Sequence, residues 1–337
     1  MERFARFFEG FQQDLKAYAY WCFVFTLFRV AFIAIYSSQI EGLFTAEVVQ
    51  SMWLGLRLSL KTTGMLVLLG AVFATLPSIV FKKWKVDKIR YAWHSLALIF
   101  FSILFFARIP YYQIFNNAFD MMIINGMHDD KYAILMTAIN EYQMLWRLPA
   151  AIVIGIVLAY GLKLVFKTPV IKFADLHSKK VVVIATILFI PVFWVFTRFG
   201  GAFTYAKAIN IDSAARLKSH LLNEAVLDDG QALYRVHLMK RKLAKDTNVN
   251  ITVDELKKKI AAVGGNPNAA TVDEAFIRKV VAPKMYKQPT NVVLIVGESF
   301  GLWPFMPQFR DLGLVEETTK LQTSEHGFAV ETMLAGG

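Results

Sequence analysis

The nineteen residues from Val181 to Phe199, VVVIATILFIPVFWVFTRF, carry a single charged side chain, Arg198, near their far end. A helix needs near 20 apolar residues to cross about 30 Å of hydrocarbon, and this stretch has that length. Four further runs qualify: Tyr20 to Tyr36, Gly64 to Phe81, Tyr91 to Phe106 and Leu148 to Phe166. The third is the shortest, but Tyr91 and Trp93 at one end and Tyr111 and Tyr112 at the other read as interfacial anchors. Across all 337 residues, 56% are apolar and 19% charged, too greasy a balance for a soluble chain of this size. The expected fold is therefore a polytopic α-helical membrane bundle, with five transmembrane helices over residues 20–200.

The charges between these runs set an expected topology. Lys82 to Arg90 holds Lys82, Lys83, Lys85, Lys88 and Arg90 against Asp87, and Lys163 to Lys180 holds five lysines against Asp175. Both loops belong on the cytoplasmic side by the positive-inside rule. Ser37 to Gln50 has Glu41 and Glu47 with no Lys or Arg, and Asn116 to Gln143 is mostly acidic, which fits the outside. Five spans then leave the N-terminus inside and everything after Gly200 outside. A net charge of +11 would suit nucleic acid, but its concentration in these loops reads as topology, so no nucleic-acid partner is expected. The single cysteine, Cys22, lies in an apolar run and excludes an intrachain disulfide or a thiolate metal cluster.

Residues 1–19 do not read as a cleavable signal peptide, because the stretch has acidic residues and no small-residue cleavage site after a short apolar core. Phe4, Phe7, Phe8, Phe11 and Leu15 fall on one helical face, which predicts an interfacial amphipathic helix; a plain cytosolic tail is the alternative. Arg29 sits inside the first span and should face the bundle, since an Arg in hydrocarbon costs at least about 2.5 kcal/mol unless paired or hydrated. Arg57 and Lys61, four apart in WLGLRLSLKTT, either meet anionic lipid head groups or simply snorkel. Arg108, with the polar run Gln113, Asn116, Asn117 and Asp120, is a second candidate for guiding a lipid head group.

Residues 201–290 read as an extracytoplasmic helical linker. Thr252 with Glu255 and Thr271 with Glu274 are capping boxes, and Gly264 and Gly265 should end the first of the two helices. From residue 291 the character changes. Val292 to Val296 is a continuous apolar run of the kind buried in a parallel sheet, followed by Gly297, Glu298 and Ser299. Ligands gather beyond the carboxyl ends of such strands, which is where Glu298 falls.

Three readings compete for Glu298. It caps a turn; or GESFG is the G-x-S-x-G elbow of a serine hydrolase with Ser299 as nucleophile; or it is a hard oxygen ligand for a divalent cation. The elbow demands a helix directly after the serine, and Pro304 and Pro307 oppose one.

The order of five spans, helical linker and NVVLIVGESF, with Gly55 to Arg57 (GLR) ahead of the second span, resembles the lipoteichoic acid synthase family and the related phosphoethanolamine transferases. These are membrane-anchored members of the alkaline phosphatase and sulfatase superfamily. The resemblance in architecture covers the chain; that in sequence is confined to about ten residues around Glu298. It implies that 291–337 opens an α/β sulfatase-like catalytic domain in the bacterial cell envelope, outside the cytoplasmic (inner) membrane. It also implies a Thr nucleophile that takes phosphoglycerol or phosphoethanolamine from a phospholipid and passes it to a glycan or lipid acceptor. Glu298 then matches the first metal ligand, for Mn, Mg or Zn. Thr332 stands at a suitable distance for the nucleophile but lacks its small-residue context, and Ala335, Gly336 and Gly337 look like the run leading into one beyond.

Only 47 residues follow Thr290, fewer than such a domain needs, and the downstream Asp and His ligands are missing, with His326 read as a surface residue. The expectation is a catalytic domain cut near its start, without turnover as it stands. The rival reading is a lipid-binding membrane regulator without chemistry. A transporter is disfavoured by the odd number of spans and the lack of paired halves.

Overall fold

A computed structural model of the chain describes residues 1–40, 45–82, 84–126, 130–214, 216–246, 252–276 and 303–323. It divides into two units, Met1–Asn250 and Ile251–Gly337. Five helical segments of the first unit are long and apolar enough to cross a membrane, as the hydropathy of the sequence predicts.

The first is α1 (Glu2–Ile35), and the second is split into α2 (Ala46–Phe73) and α3 (Thr75–Val80). Next come α4 (Val86–Phe115), then two short helices, α5 (Met122–Gly126) and α6 (Lys131–Asn140). The last two spans are α7 (Met144–Lys167) and α8 (Lys179–Arg198). Beyond them lie α9 (Ile211–Ala214), α10 (His220–Val226) and α11 (Asp229–Asp246).

Several bounds differ from the hydropathy reading for clear reasons. The entry segment 1–19 is continuous with the first span in one 34-residue helix, since no Pro or capping break intervenes and Asp14 finds a partner inside. Its rings also find partners: Phe4 and Phe8 pack on Phe173, and Phe11 packs on Phe189. The break between α2 and α3 follows from Pro77, which has no N–H for the carbonyl of Phe73. That freed carbonyl accepts the indole N–H of Trp84 at 3.0 Å. The third span, the shortest by hydropathy, is the core of the 30-residue α4.

Two layers of buried polar groups cross the bundle. In the first, Arg90 of α4 donates to Asp14 of α1 at 2.8 Å and to Thr75 of α3 at 2.8 Å, and Thr75 donates to Asp14 at 2.6 Å. In the second, Arg29 of α1 donates to Ser59 of α2 at 2.8 Å, beside Arg108 of α4. Fifteen residues separate Asp14 from Arg29 and eighteen separate Arg90 from Arg108, rises of about 22 and 27 Å. The slab between them is largely apolar, with Trp21, Phe25, Leu98 and Phe101 buried in it. Its thickness is close to the roughly 30 Å of a bilayer core, which suits a bundle that satisfies its charges internally at either margin.

The second unit holds α12 (Val253–Ala262), α13 (Val272–Ala275) and α14 (Glu316–Thr323). Thr252 and Glu255 form the reciprocal capping box that the sequence predicts. The helix ends in a Schellman motif: Gly264, at φ +76°, bonds Ala261 O and Gly265 bonds Ile260 O. Thr271 accepts from Glu274 N–H at 3.2 Å, so the second cap also forms. Trp303–Phe305 and Pro307–Leu312 are 3-10 turns, the short irregular structure that Pro304 and Pro307 favour over a regular helix. The strand expected at Val292 to Val296 lies outside the described residues.

Candidate functional site

After the last span the chain does not leave the bundle. Ile209, Leu217, Leu221, Leu222, Val226 and Ala232 are all buried; α10 packs on α1 and α2, and α11, joined to it through Leu227 and Asp228, packs on α2 and α4. Ser219 caps the first helix of the pair by accepting from Leu222 N–H. Asp228 caps the second, accepting from Gln231 N–H at 2.9 Å. Thr62 of α2 donates to the same carboxylate at 2.9 Å and accepts from the Gln231 side chain at 2.9 Å, which pins the turn to the bundle.

A helix leaves the carbonyls of its last turn without intrahelical donors, and in a buried, low-dielectric setting each must find another. Two arginines supply donors to four successive carbonyls at the end of α10. Arg108 binds Glu224 O at 2.6 Å and Leu227 O at 2.8 Å; Arg29 binds Ala225 O at 2.9 Å and Val226 O at 3.3 Å. Both cations also meet the negative end of the α10 dipole. Arg108 further pairs with Asp229 at 3.4 Å and lies 4.2 Å over the Phe32 ring. Arg29 thus faces the bundle, as expected, whereas Arg108 is turned inward and 3% exposed, committed to the end of α10 and to Asp229 rather than to an exposed lipid surface.

The carboxylates around this end divide by environment. Burial pushes the Glu224 carboxyl up, but the two-pronged contact from Arg235, at 2.7 and 2.8 Å, and the Ala118 N–H at 2.6 Å together hold it below the usual range. Burial, reinforced by the neighbouring Asp228, raises Asp229 to about 6 against the pull of Arg108. The short polar helix HLLNEAV gives no hydropathy signal of insertion. What does point to it is the pair of buried arginines that need acceptors and the Ser219 and Asp228 caps on either side of α10.

Arg57 stands at the rim. Its Nε donates to Gly200 O at 2.7 Å and its Nη2 to Lys207 O at 2.6 Å, tying the exit of α8 to α2, while Lys61 binds Ile209 O. Beside it opens a cavity of about 700 Å³. Arg57, Lys207 and Arg216 line it together with Trp53 and Phe203, and no carboxylate does among the described residues. The polar run named with Arg108 is used locally: Tyr111 donates to Asp120, Asn117 to Asp120, and Asn116 O meets His220.

No family model, curated protein or solved structure matches this chain at a significant level.

Glu298, Ser299, His326 and Thr332 all lie outside the described residues. Among the described residues no group of three or more His, Cys, Asp or Glu side chains is placed to hold a metal ion. The arrangement that is present can grip an anionic group at the rim of the bundle, and it can hold the buried α10 in place.

Proposed function

We propose that this multi-pass chain is the membrane portion and domain entry of a phosphoryl head-group transferase of the bacterial cytoplasmic membrane, with the segment after Gly200 extracytoplasmic. It draws phosphoglycerol or phosphoethanolamine from a phospholipid toward a glycan or lipid acceptor. The observation that carries this reading is the all-cationic cavity of Arg57, Lys207 and Arg216 beside Trp53. Three cations without a carboxylate attract a phosphodiester, and an indole at the same level suits the bilayer interface. Phosphoryl transfer depends chiefly on such positioning and charge neutralisation. The resemblance around NVVLIVGESF supplies the chemistry: Glu298 as a ligand for Mn, Mg or Zn, and a Thr nucleophile at Thr332 or further on. The 3-10 turns after the motif weigh against Ser299 as a hydrolase nucleophile.

The test is release of diacylglycerol from a fluorescent phosphatidylglycerol or phosphatidylethanolamine, with Mn or Mg added, by the full-length protein. Metal-dependent release that Glu298→Ala abolishes and Arg57→Ala/Lys207→Ala weakens supports the transferase. Lipid binding that needs Arg57 and Lys207, without release from any phospholipid, overturns it in favour of a non-catalytic lipid-binding regulator.

A further inference from the structure

The opposite, lysine-rich end of the bundle carries a second feature that the transferase reading does not use. Between α1, α4 and α7 lies a cavity of about 330 Å³. Lys88 of α4 and Lys163 and Lys167 of α7 line it, the latter two four apart and so on one helical face. None of the three is paired with a carboxylate among the described residues. Asp87, the one acid in the wall, is engaged with Arg90 at 3.2 Å, and Arg90 is itself consumed by Asp14 and Thr75. The single charge of Arg90 cannot answer both Asp14 and Asp87, so the three lysines share the wall with one acid and keep a net positive charge.

The wall also contains an unsatisfied acceptor. Gln13 donates its amide N–H to Phe166 O at 3.2 Å, and its Oε1 is buried with no hydrogen-bond partner. A buried acceptor left alone costs about 1–3 kcal/mol, so a donor brought by a ligand has something to gain there. Tyr91 and Phe166 supply an aromatic surface beside the charges. A basic pocket between membrane helices at the positive end is the setting in which anionic lipid head groups bind.

We propose that this cavity seats the head group of an anionic glycerophospholipid from the leaflet on the lysine-rich side. Lys88, Lys163 and Lys167 take the phosphate, and Gln13 Oε1 accepts from a head-group hydroxyl. The lipid staples α4 to α7 and α1, and the site is separate from the outer-rim cavity at Arg57. It therefore stands or falls apart from the transferase reading.

Native mass spectrometry of the full chain in a neutral detergent tests this, with dioleoyl phosphatidylglycerol, phosphatidic acid, phosphatidylcholine and inorganic phosphate as probes. Phosphatidylglycerol is expected to stay bound where phosphatidylcholine does not, and millimolar inorganic phosphate should not displace it. Lys88→Gln/Lys163→Gln/Lys167→Gln should weaken that binding on the order of 10–100-fold, as each lysine near a lipid surface contributes several-fold. Lys172→Gln/Lys179→Gln/Lys180→Gln removes the same charge at the same end outside the cavity and should leave it intact. Gln13→Met should erode the preference for phosphatidylglycerol over phosphatidic acid. Equal loss in both lysine triples, equal retention of phosphatidylcholine, or displacement by phosphate alone overturns the proposal. Thermal midpoints of the variants in lipid-free detergent separate loss of the site from loss of the fold.

Discussion

Gly55 of α2 faces the guanidinium of Arg29 so closely that a β-carbon there would lie 2.1 Å from Arg29 Nε. The absence of a side chain at position 55 is what lets a buried arginine lie flat against α2. From there it reaches Ser59 and the carbonyls of Ala225 and Val226. The Gly and Arg of the GLR stretch therefore serve neighbouring tasks, Gly55 admitting Arg29 and Arg57 clasping the exit of α8.

Gly55→Ala is expected to displace Arg29, because the guanidinium is pinned by three hydrogen bonds and cannot swing aside as a free side-chain end would. Overpacking of this kind costs about 1–3 kcal/mol. A lowered thermal midpoint in detergent, together with faster proteolysis after the last span, is the expected result. A midpoint equal to that of the unaltered protein would show that Arg29 does not depend on the gap.

Arg108→Met should release α10. It strips donors from Glu224 O and Leu227 O and leaves Asp229 without its ion-pair partner, a loss of about 3–5 kcal/mol for a buried pair. Val226 is fully buried, so Val226→Cys in a Cys22→Ser background should resist a membrane-impermeant maleimide. Adding Arg108→Met should expose it to labelling. Rapid labelling before that change is made would mean α10 is not held in the bundle.

Five apolar runs are legible in the sequence because spanning a bilayer imposes a length that few other structures share, and the capping box at Thr252 and the cap at Thr271 are legible because they are local. The buried α10 is not. HLLNEAV is too short and too polar to register as a membrane element, and its insertion depends on Arg29 and Arg108, about 115 to 200 residues away in sequence. Hydropathy misplaces the span ends for a related reason: Asp14 and Arg90 look like termini by charge, yet each is buried because it has the other. Arg57 lines a cationic cavity at the rim, whereas Arg108 can be matched to its carbonyl partners only through tertiary structure.

Glu224 gives the end of the bundle at α10 a dependence on pH. Its carboxyl is held below the usual value of 4.5, so its contribution to stability is fully present above that pH and is lost as the pH falls through the lowered value. Glu224→Gln mimics the protonated state and leaves Arg235 without its carboxylate partner. The gap in thermal midpoint between the protein and this variant should be widest near pH 7 and should close on acidification below 4.5. A gap that stays constant down to about pH 3 would assign the loss to packing rather than to charge.

Asp14 and Arg90 offer the sharpest test of the other polar layer. Both are nearly inaccessible and share Thr75 as a common partner, but Arg90 also reaches Asp87 and Gly10 O, each at 3.2 Å. Arg90→Met alone is expected to cost about 3–5 kcal/mol, because Asp14 would keep only the Thr75 hydroxyl. Asp14→Leu alone should cost less, because Arg90 would keep Asp87 and Gly10 O. The paired change Asp14→Leu/Arg90→Met removes both buried charges and fills similar volume, so it should recover most of the stability lost in Arg90→Met, leaving Thr75 and Gly10 O to rearrange and Asp87 to solvent. Strict additivity of the two single losses in thermal or denaturant unfolding would show that the pair is not coupled. Recovery in the double variant would show that what the bundle requires at this level is neutrality, supplied here by two charges that cancel.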